Sequence, residues 1–265
     1  MILDIGGVSD VFSVTTMVSY TVSVDANGTG SGRITSDAGS IDYFYPAVSS
    51  ATSTPLAIGS NVTLTATTDA SSTVSWAGCG STGGTDTVAT CSFSGLDGNK
   101  SATASFKLNS YTVDALPPLV IEGSISPASQ IVDYGSTASF NVIAEPEYTI
   151  VSVDGCGGMW AGGNSYVTGV ITENCTVQAS FTLNSYTIDT IAVAEQGSIS
   201  PSYLHGVIHG DIVEFDITAE PGYDVDSVSG CGGSWDDSNP YTTAAITENC
   251  TVEATFVRTE CSFYT

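Results

Sequence analysis

Apolar and polar residues alternate through most of the chain. Clear examples are Val62, Leu64 and Ala66, which threonines separate, and the residues of 214–219. A period of two is typical of a β-strand with one buried face. Residues that favour turns recur about every 8–12 positions. The pattern predicts an all-β fold.

A framework of 75 residues repeats along the chain. The stretches 230–235 (Gly-Cys-Gly-Gly-Ser-Trp) and 246–256 occur once before, at 155–160 and 171–181, and a looser copy covers 76–106. A repeated framework indicates repeated structural modules. We expect five or six short strands in each of them.

The repeat divides the chain into three modules, each predicted to be a small β-rich unit of β-sandwich or β-grasp-like type. We call residues 20–108 module 1, which contains an inserted loop, 109–183 module 2, and 184–258 module 3. An apolar extension, 1–19, precedes them, and a tail, 259–265, follows. Only four residues separate the last Phe of one module from the first Tyr of the next, without a flexible spacer. The modules should therefore abut and form a stiff rod.

The charge is strongly acidic. The chain has 28 acidic and 4 basic residues, a net charge of −24. This balance argues against nucleic acid and against anionic membranes as partners. No apolar run approaches the roughly 20 residues that span a bilayer, so no membrane insertion is expected. The acidity suits a secreted or high-salt setting; the alternative is that carboxylates bind divalent cations.

Six of the seven cysteines fall two to a module, which predicts disulfides and an oxidising, extracellular compartment. Other pairings are open, but the simplest set keeps each pair within one module: Cys79–Cys91, Cys156–Cys175 and Cys231–Cys250. A module of about 75 residues is marginal alone, and closing a loop of about 20 residues adds about 3 kcal/mol. Cys261 remains, as an intermolecular partner, a free thiol or a cysteine whose partner has been lost by truncation.

The extension 1–19 is rich in apolar residues and predicts one or two strands. Either it packs on module 1 or it adds a strand to another subunit. It makes a poor signal peptide, because it lacks a basic start and carries Asp4 and Asp10, so the true signal has been removed or the chain is a fragment. The residues expected at an intermolecular contact are Ile2, Leu3, Ile5, Val11, Phe12, Val14 and Cys261.

Several stretches carry a resemblance. They are the Tyr-Thr-Val openings, the Gly-Ser-Ile-Ser-Pro turns, the Cys-Gly-Gly loops, Glu220–Tyr223 and Cys250–Phe256. Together they resemble the divergent InlB B-repeat family, a bacterial surface repeat related to Listeria–Bacteroides repeats, over about 20–258. The resemblance implies β-sandwich or β-grasp-like modules in a secreted or cell-surface protein, and it carries over no catalytic residues.

The residues predict no active site, metal site or cofactor. His205 and His209 would share one face of a strand, about 13 Å apart. Calcium near Asp236 and Asp237 is the alternative, because carboxylates are suitable ligands. The matching stretch of module 2, 161–164, lacks the acids, which argues against a site common to the repeats.

Trp160 and Trp235 lie beside the Cys-Gly-Gly loops. They either cover the disulfides or contact a sugar ligand. Five Asn-x-Ser/Thr sequences also occur, at Asn27, Asn61, Asn99, Asn174 and Asn249. Chance explains many of these in Ser- and Thr-rich strands, and a glycan beside a disulfide would be crowded.

These observations predict a non-enzymatic, extracellular structural protein of the bacterial surface. We expect a subunit or stalk of a fibre, whose partner is a second copy bound through the extension and the tail. The alternative is an adhesin or carbohydrate-binding segment that contacts a glycan or host surface. A further alternative is a spacer of a larger secreted enzyme or toxin.

Overall fold

A computed structural model describes residues 2–5, 8–11, 17–119 and 121–259. All regular elements in these ranges are β-strands, which confirms the all-β prediction. None of the described residues forms a helix long and apolar enough to cross a membrane. The extension contributes an antiparallel hairpin of β1 (Ile2–Ile5) and β2 (Val8–Val11), in which Ile2 lies opposite Val11.

Module 1 contains eleven of the described strands, more than predicted. They are β3 (Ser19–Tyr20), β4 (Val22–Gly28), β5 (Gly32–Ser36), β6 (Asp42–Tyr45), β7 (Ser50–Thr52), β8 (Leu56–Ala57), β9 (Val62–Thr67), β10 (Ser72–Ala77), β11 (Ser81–Gly84), β12 (Val88–Phe93) and β13 (Lys100–Leu108). One sheet has the order β10-β13-β4-β7, the second has the order β11-β12-β9-β5-β6, and β3 pairs with β8.

Modules 2 and 3 each contain seven described strands in matching order. Those of module 2 are β14 (Ser110–Ala115), β15 (Gly123–Ser126), β16 (Ser129–Asp133), β17 (Ser139–Ala144), β18 (Tyr148–Gly155), β19 (Ser165–Val167) and β20 (Cys175–Leu183). Those of module 3 are β21 (Ser185–Ile191), β22 (Gly197–Ser200), β23 (Tyr203–Ile208), β24 (Glu214–Ala219), β25 (Tyr223–Gly230), β26 (Tyr241–Thr242) and β27 (Cys250–Arg258).

The two modules share one topology. Their four-stranded sheets have the orders β16-β14-β20-β18 and β23-β21-β27-β25, and their three-stranded sheets have the orders β15-β17-β19 and β22-β24-β26. In module 3 the first and last strands, β21 and β27, are parallel neighbours, as are β4 and β13 in module 1.

The core of module 1, and likewise that of module 3, lies between its two sheets. Val62, Leu64 and Ala66 of β9 are at most 1% exposed, while Phe215 and Ile217 of β24 are buried in the same way. The alternation in the sequence therefore identified the buried faces correctly. Residues from both sheets contribute to each cluster, which is the packing of a β-sandwich.

By contact density the chain separates into two compact units. One comprises 1–113, 130–138 and 170–174; the other comprises 114–129, 139–169 and 175–265. Module 1 lies in the first and module 3 in the second, while the residues of module 2 are shared between them. The three-module boundaries and the rod stay predictions.

The insertion in module 1, expected as a loop from Asp37 to Pro55, contains β6 and β7. β6 covers the outer edge of β5, with Tyr45 opposite Gly32. The Tyr45 ring stacks on Phe106, with centroids 5.5 Å apart and planes at 10°. Its hydroxyl donates to the Gly28 carbonyl at 2.8 Å. This added strand distinguishes module 1 from modules 2 and 3.

Candidate functional site: the Cys-Gly-Gly loops and the module joints

The Cys-Gly-Gly loop of module 3 is a tight turn. The Gly233 N–H donates to the Gly230 carbonyl at 3.1 Å, and Cys231 and Gly232, between them, have φ values of 46° and 68°. Two consecutive positive φ values are those of a type I′ turn. A Cβ at Gly230, whose φ is 122°, would lie 1.9 Å from the Thr251 carbonyl oxygen, so only glycine fits there.

A buried tyrosine stabilises the turn through a hydrogen bond. The Tyr241 hydroxyl donates to the Gly230 carbonyl at 2.7 Å, and the residue is 1% exposed. Burial raises the pKa of Tyr241 above its ordinary value. The Ala244 N–H adds a hydrogen bond to the Cys231 carbonyl at 3.1 Å. The turn is thus held on both sides by its own module.

Module 2 repeats this geometry. Cys156 and Gly157 have φ values of 47° and 65°, and the Gly158 N–H donates to the Gly155 carbonyl at 3.1 Å. The Tyr166 hydroxyl donates to the same carbonyl at 2.5 Å. This tyrosine, 11 residues after its partner glycine in both modules, was not singled out from the sequence although it repeats.

Among the described residues there are three disulfides, each within one module: Cys79–Cys91, Cys156–Cys175 and Cys231–Cys250. In modules 2 and 3 the first cysteine lies in the turn, and the second is the first residue of the last strand. Each bridge therefore ties the turn to the strand that ends the module. In module 1 the second cysteine lies inside β12 instead.

One asparagine in each module links the start of the module to its last strand. It stands immediately before the last strand, and its side-chain oxygen accepts a backbone N–H from a threonine at the start of the module. The pairs are Asn99–Thr21 at 2.9 Å, Asn174–Thr112 at 2.8 Å and Asn249–Thr187 at 2.9 Å. We call these three residues the strand-linking asparagines. Sequence reasoning considered them only as glycosylation sites.

A different asparagine lies at each joint between modules, and we call Asn109 and Asn184 the joint asparagines. The backbone N–H of Asn109 donates to the Ser71 carbonyl at 2.8 Å, and its side-chain amide donates to the Ala70 carbonyl at 2.9 Å. Its own carbonyl accepts the Tyr134 N–H of the next module at 2.8 Å. One residue thus bonds to segments of two consecutive modules.

Asn184 makes the same set of bonds. Its backbone N–H donates to Glu147 at 2.8 Å, its side-chain amide donates to Pro146 at 2.9 Å, and its carbonyl accepts the His209 N–H at 2.9 Å. Its side-chain oxygen also accepts the Thr149 hydroxyl at 2.7 Å. The Leu-Asn-Ser-Tyr sequence at both joints makes these bonds, and its repetition is the signal from which they could have been found.

The tryptophans beside the loops make contacts within their own modules. Trp235 lies against the module 3 core, with its ring centroid 6.4 Å from that of Tyr241. Its indole nitrogen is buried and, among the described residues, has no acceptor. The Trp160 indole N–H donates to the Gly163 carbonyl at 3.0 Å, and that of Trp76 donates to Ala89 at 3.1 Å. These indole N–H groups are not directed to solvent.

The acidic pair after Trp235 forms a local turn. The Asp236 carboxylate accepts the Ser238 N–H at 3.2 Å and also the Ser238 hydroxyl, and these bonds lower the pKa of Asp236. Asp237 has a φ of 63°. Nowhere in the described ranges do three or more His, Cys, Asp or Glu residues come together as metal ligands would.

The histidines are separate from this turn. The His209 ring lies against Tyr186, with 3.3 Å between its Nδ1 and the tyrosine hydroxyl, and His205 lies against Tyr203.

Of the residues expected at an intermolecular contact, Ile2, Leu3, Ile5 and Val11 lie in the β1–β2 hairpin. The remaining three, Phe12, Val14 and Cys261, lie outside the described residues.

Comparisons with known proteins identify a family. The family model described as the divergent InlB B-repeat domain matches residues 45–110 and 186–260. No curated protein matches the chain. Among solved structures, the Bacillus anthracis TIE protein matches at 6% identity and a TM-score of 0.45, over 89% of this chain and 50% of its own. The chain therefore spans about half the length of that protein. The major pilin protein T-13 of Streptococcus pyogenes matches at 10% identity and a TM-score of 0.22, over 93% of this chain and 98% of its own.

Proposed function

Because this chain belongs to the divergent InlB B-repeat family, we propose that it is a non-enzymatic structural protein of the bacterial surface, a subunit or stalk of an extracellular fibre. The family is a surface repeat, and three disulfides are consistent with an oxidising compartment outside the cytoplasm. In this role the modules act as spacers that resist bending.

The observation that carries the proposal is the pair of joint asparagines. Each joint is too short for a flexible linker, and its asparagine bonds to both neighbouring modules through backbone and side chain. Four bonds converge on Asn184 alone. A hinge needs a segment with few such contacts, so these joints favour a stiff chain of modules.

Self-assembly is the second part of the proposal. The hairpin of the extension and the tail that carries Cys261 are the two parts outside the repeat, and we assign to them the contact with a second copy. A two-stranded hairpin is marginal alone and gains stability by joining a larger sheet. A cysteine beyond the three bridged pairs suits a bond between subunits.

The stalk is tested by small-angle scattering and electron microscopy of the oxidised protein. We expect an elongated particle, and we expect Asn184→Gly to shorten the mean end-to-end distance by loosening one joint. Asn27→Ala is the matched control, because Asn27 is exposed and lies far from the joint in sequence. A compact wild-type particle, or a joint variant that scatters like the control, would contradict the proposal.

Assembly is tested separately with two truncations. Removing residues 1–19 or 259–265 should abolish fibres or oligomers of the purified protein, and Cys261→Ser should remove any dimer seen on a non-reducing gel. A wild type that stays monomeric at high concentration refutes assembly and leaves the stalk untouched. For the alternative role as an adhesin, binding to a glycan array should be lost in folded Trp235→Ala.

A further inference from the structure

The outer edge of β22 in module 3 differs from the matching edge in module 1. In module 1, β5 is paired on both sides, by β9 and by β6. In module 3, β22 pairs with β24 alone among the described strands. An unpaired strand edge presents backbone donors and acceptors to any extended segment that approaches it.

Register shows which backbone groups of β22 point away from β24. The Ile217 N–H donates to the Asn239 side chain at 2.9 Å, on the side of β24 away from β22. Ile199 lies opposite Ile217. Because the Ile217 N–H points away from β22, these two residues form a non-hydrogen-bonded pair. The N–H and the carbonyl of Ile199 therefore point out of the free edge. The neighbouring Gly197 N–H is used within its own turn, by Val193 at 3.0 Å.

A platform for an aromatic ring lies at the end of the same edge. A Cβ on Gly197 would lie 2.2 Å from the Phe256 ring, which shows how closely this ring underlies the strand. Gly32 and Phe106 have the same relation in module 1, at 2.3 Å. There Tyr45 of β6 lies opposite Gly32 and stacks on Phe106.

Exposure of the rings supports the comparison. Phe106, under Tyr45, is 1% exposed, whereas Phe256 remains partly exposed. Module 2 agrees with module 3: Phe181 underlies Gly123 and is also partly exposed. The part of the chain that the structure describes supplies no tyrosine to either ring. In module 1 the edge strand is therefore paired with an added strand whose tyrosine covers the phenylalanine ring. In modules 2 and 3 the matching edge has no such strand among the described residues.

We propose that the free edge of β22, and that of β15 in the same way, binds an extended polypeptide strand of a partner, with an aromatic side chain that stacks on Phe256 or Phe181. The strand runs antiparallel to the edge, as β6 does on β5. Its aromatic residue lies opposite Gly197 or Gly123. Residues of one copy of the chain form the whole site, so this proposal does not depend on the fibre proposal.

The charge of the protein limits which partner strands can bind. In module 1, Asp42 of the added strand pairs with Arg33 through bonds of 2.8 and 2.7 Å. Ser198 takes the place of Arg33 in module 3, and Asp216 lies opposite Ser200 on the neighbouring strand. With a net charge of −24 on the chain, an acidic partner strand is disfavoured. The partner strand is therefore neutral or basic.

A labelled peptide with the sequence Ile41–Pro46 and the change Asp42→Lys tests the site. We expect fluorescence anisotropy to show saturable binding to the intact protein, and hydrogen exchange by NMR to show slower exchange of the Ile199 and Ile125 amides. The same peptide with Tyr45→Ser should bind about two- to tenfold more weakly, the usual effect of one aromatic pair. Phe256→Leu combined with Phe181→Leu should weaken binding of the parent peptide by a similar factor.

Three results would overturn the proposal. One is unchanged exchange of both amides at millimolar peptide, and another is equal affinity for the Tyr45 and Tyr45→Ser peptides. The third is slowing of Ile199 exchange with rising protein concentration when no peptide is present, which would assign the edge to a second copy. The peptide comparison uses unmodified protein, so it decides the question even if the phenylalanine variants do not fold.

Discussion

Replacing Asn249 by alanine removes the acceptor for the Thr187 N–H, the bond that closes the first strand of module 3 onto the last. The bond is 2.9 Å long. It directly precedes the parallel ladder, which begins with Ile188 opposite Cys250. A typical intramolecular hydrogen bond contributes about 1 kcal/mol. We therefore expect about 1 kcal/mol of lost stability, a roughly fivefold change in the unfolding equilibrium.

The assay is equilibrium urea unfolding followed by fluorescence. Each module has one tryptophan, so the background Trp76→Phe with Trp160→Phe leaves Trp235 as the reporter of module 3. Asn249→Asp keeps an acceptor in the same place and should stay within about 0.5 kcal/mol of the parent. Asn27→Ala, at an exposed position, should also have little effect.

Two results would refute this reasoning. If Asn249→Ala leaves the unfolding free energy of module 3 unchanged, the bond does not link the strands in solution. If alanine and aspartate destabilise equally, the loss comes from something other than the acceptor. Either result would mean that the strand-linking asparagines do not stabilise the modules through this hydrogen bond.

The other predictions concern the loop and the core. Tyr241→Phe should cost about 1 kcal/mol in urea unfolding, because it removes the bond to the Gly230 carbonyl while that carbonyl keeps its backbone donor; no loss would contradict this. Cys231→Ser with Cys250→Ser should cost about 3 kcal/mol, as expected for a loop of about 20 residues, and reductant should then have little further effect on module 3. Burial raises the pKa of Tyr43 to about 12, above the roughly 10 of an unfolded tyrosine. Its stabilising contribution is therefore complete below about pH 10 and is lost as the pH rises towards 12, and Tyr43→Phe should remove this part of the alkaline transition.

The sequence predicted the strands with a clear buried face. Val62, Leu64 and Ala66 are buried as their alternation requires, because a period of two leaves a strand no other way to bury its apolar side chains. Module 1 was harder. Asp42–Tyr45 is short and consists of one acidic residue followed by three aromatic residues, so no alternation of apolar and polar residues is visible. It forms a strand because it pairs with the open edge of β5.

The asparagines show a different limit. Asn174 and Asn249 stand in Asn-x-Thr sequences, and that motif suggested modification before it suggested structure. Their real environment depends on a threonine 62 residues away, which no local pattern can indicate. The repeat itself carried the information: an asparagine before each last strand, at the same place in every module, indicates a structural bond.

The parallel pairing of β4 with β13 and of β21 with β27 has a mechanical consequence. A strand at or near the start of each of these modules lies beside the last strand, and both run in the same direction. Tension applied to the two ends of such a module slides the strands along one another and loads all the hydrogen bonds of the ladder together. If the two terminal strands were antiparallel, the same tension would instead break their hydrogen bonds one after another. We expect these modules to resist pulling far better than their small cores suggest, and a strand-linking asparagine stands at the end of the ladder where that load begins.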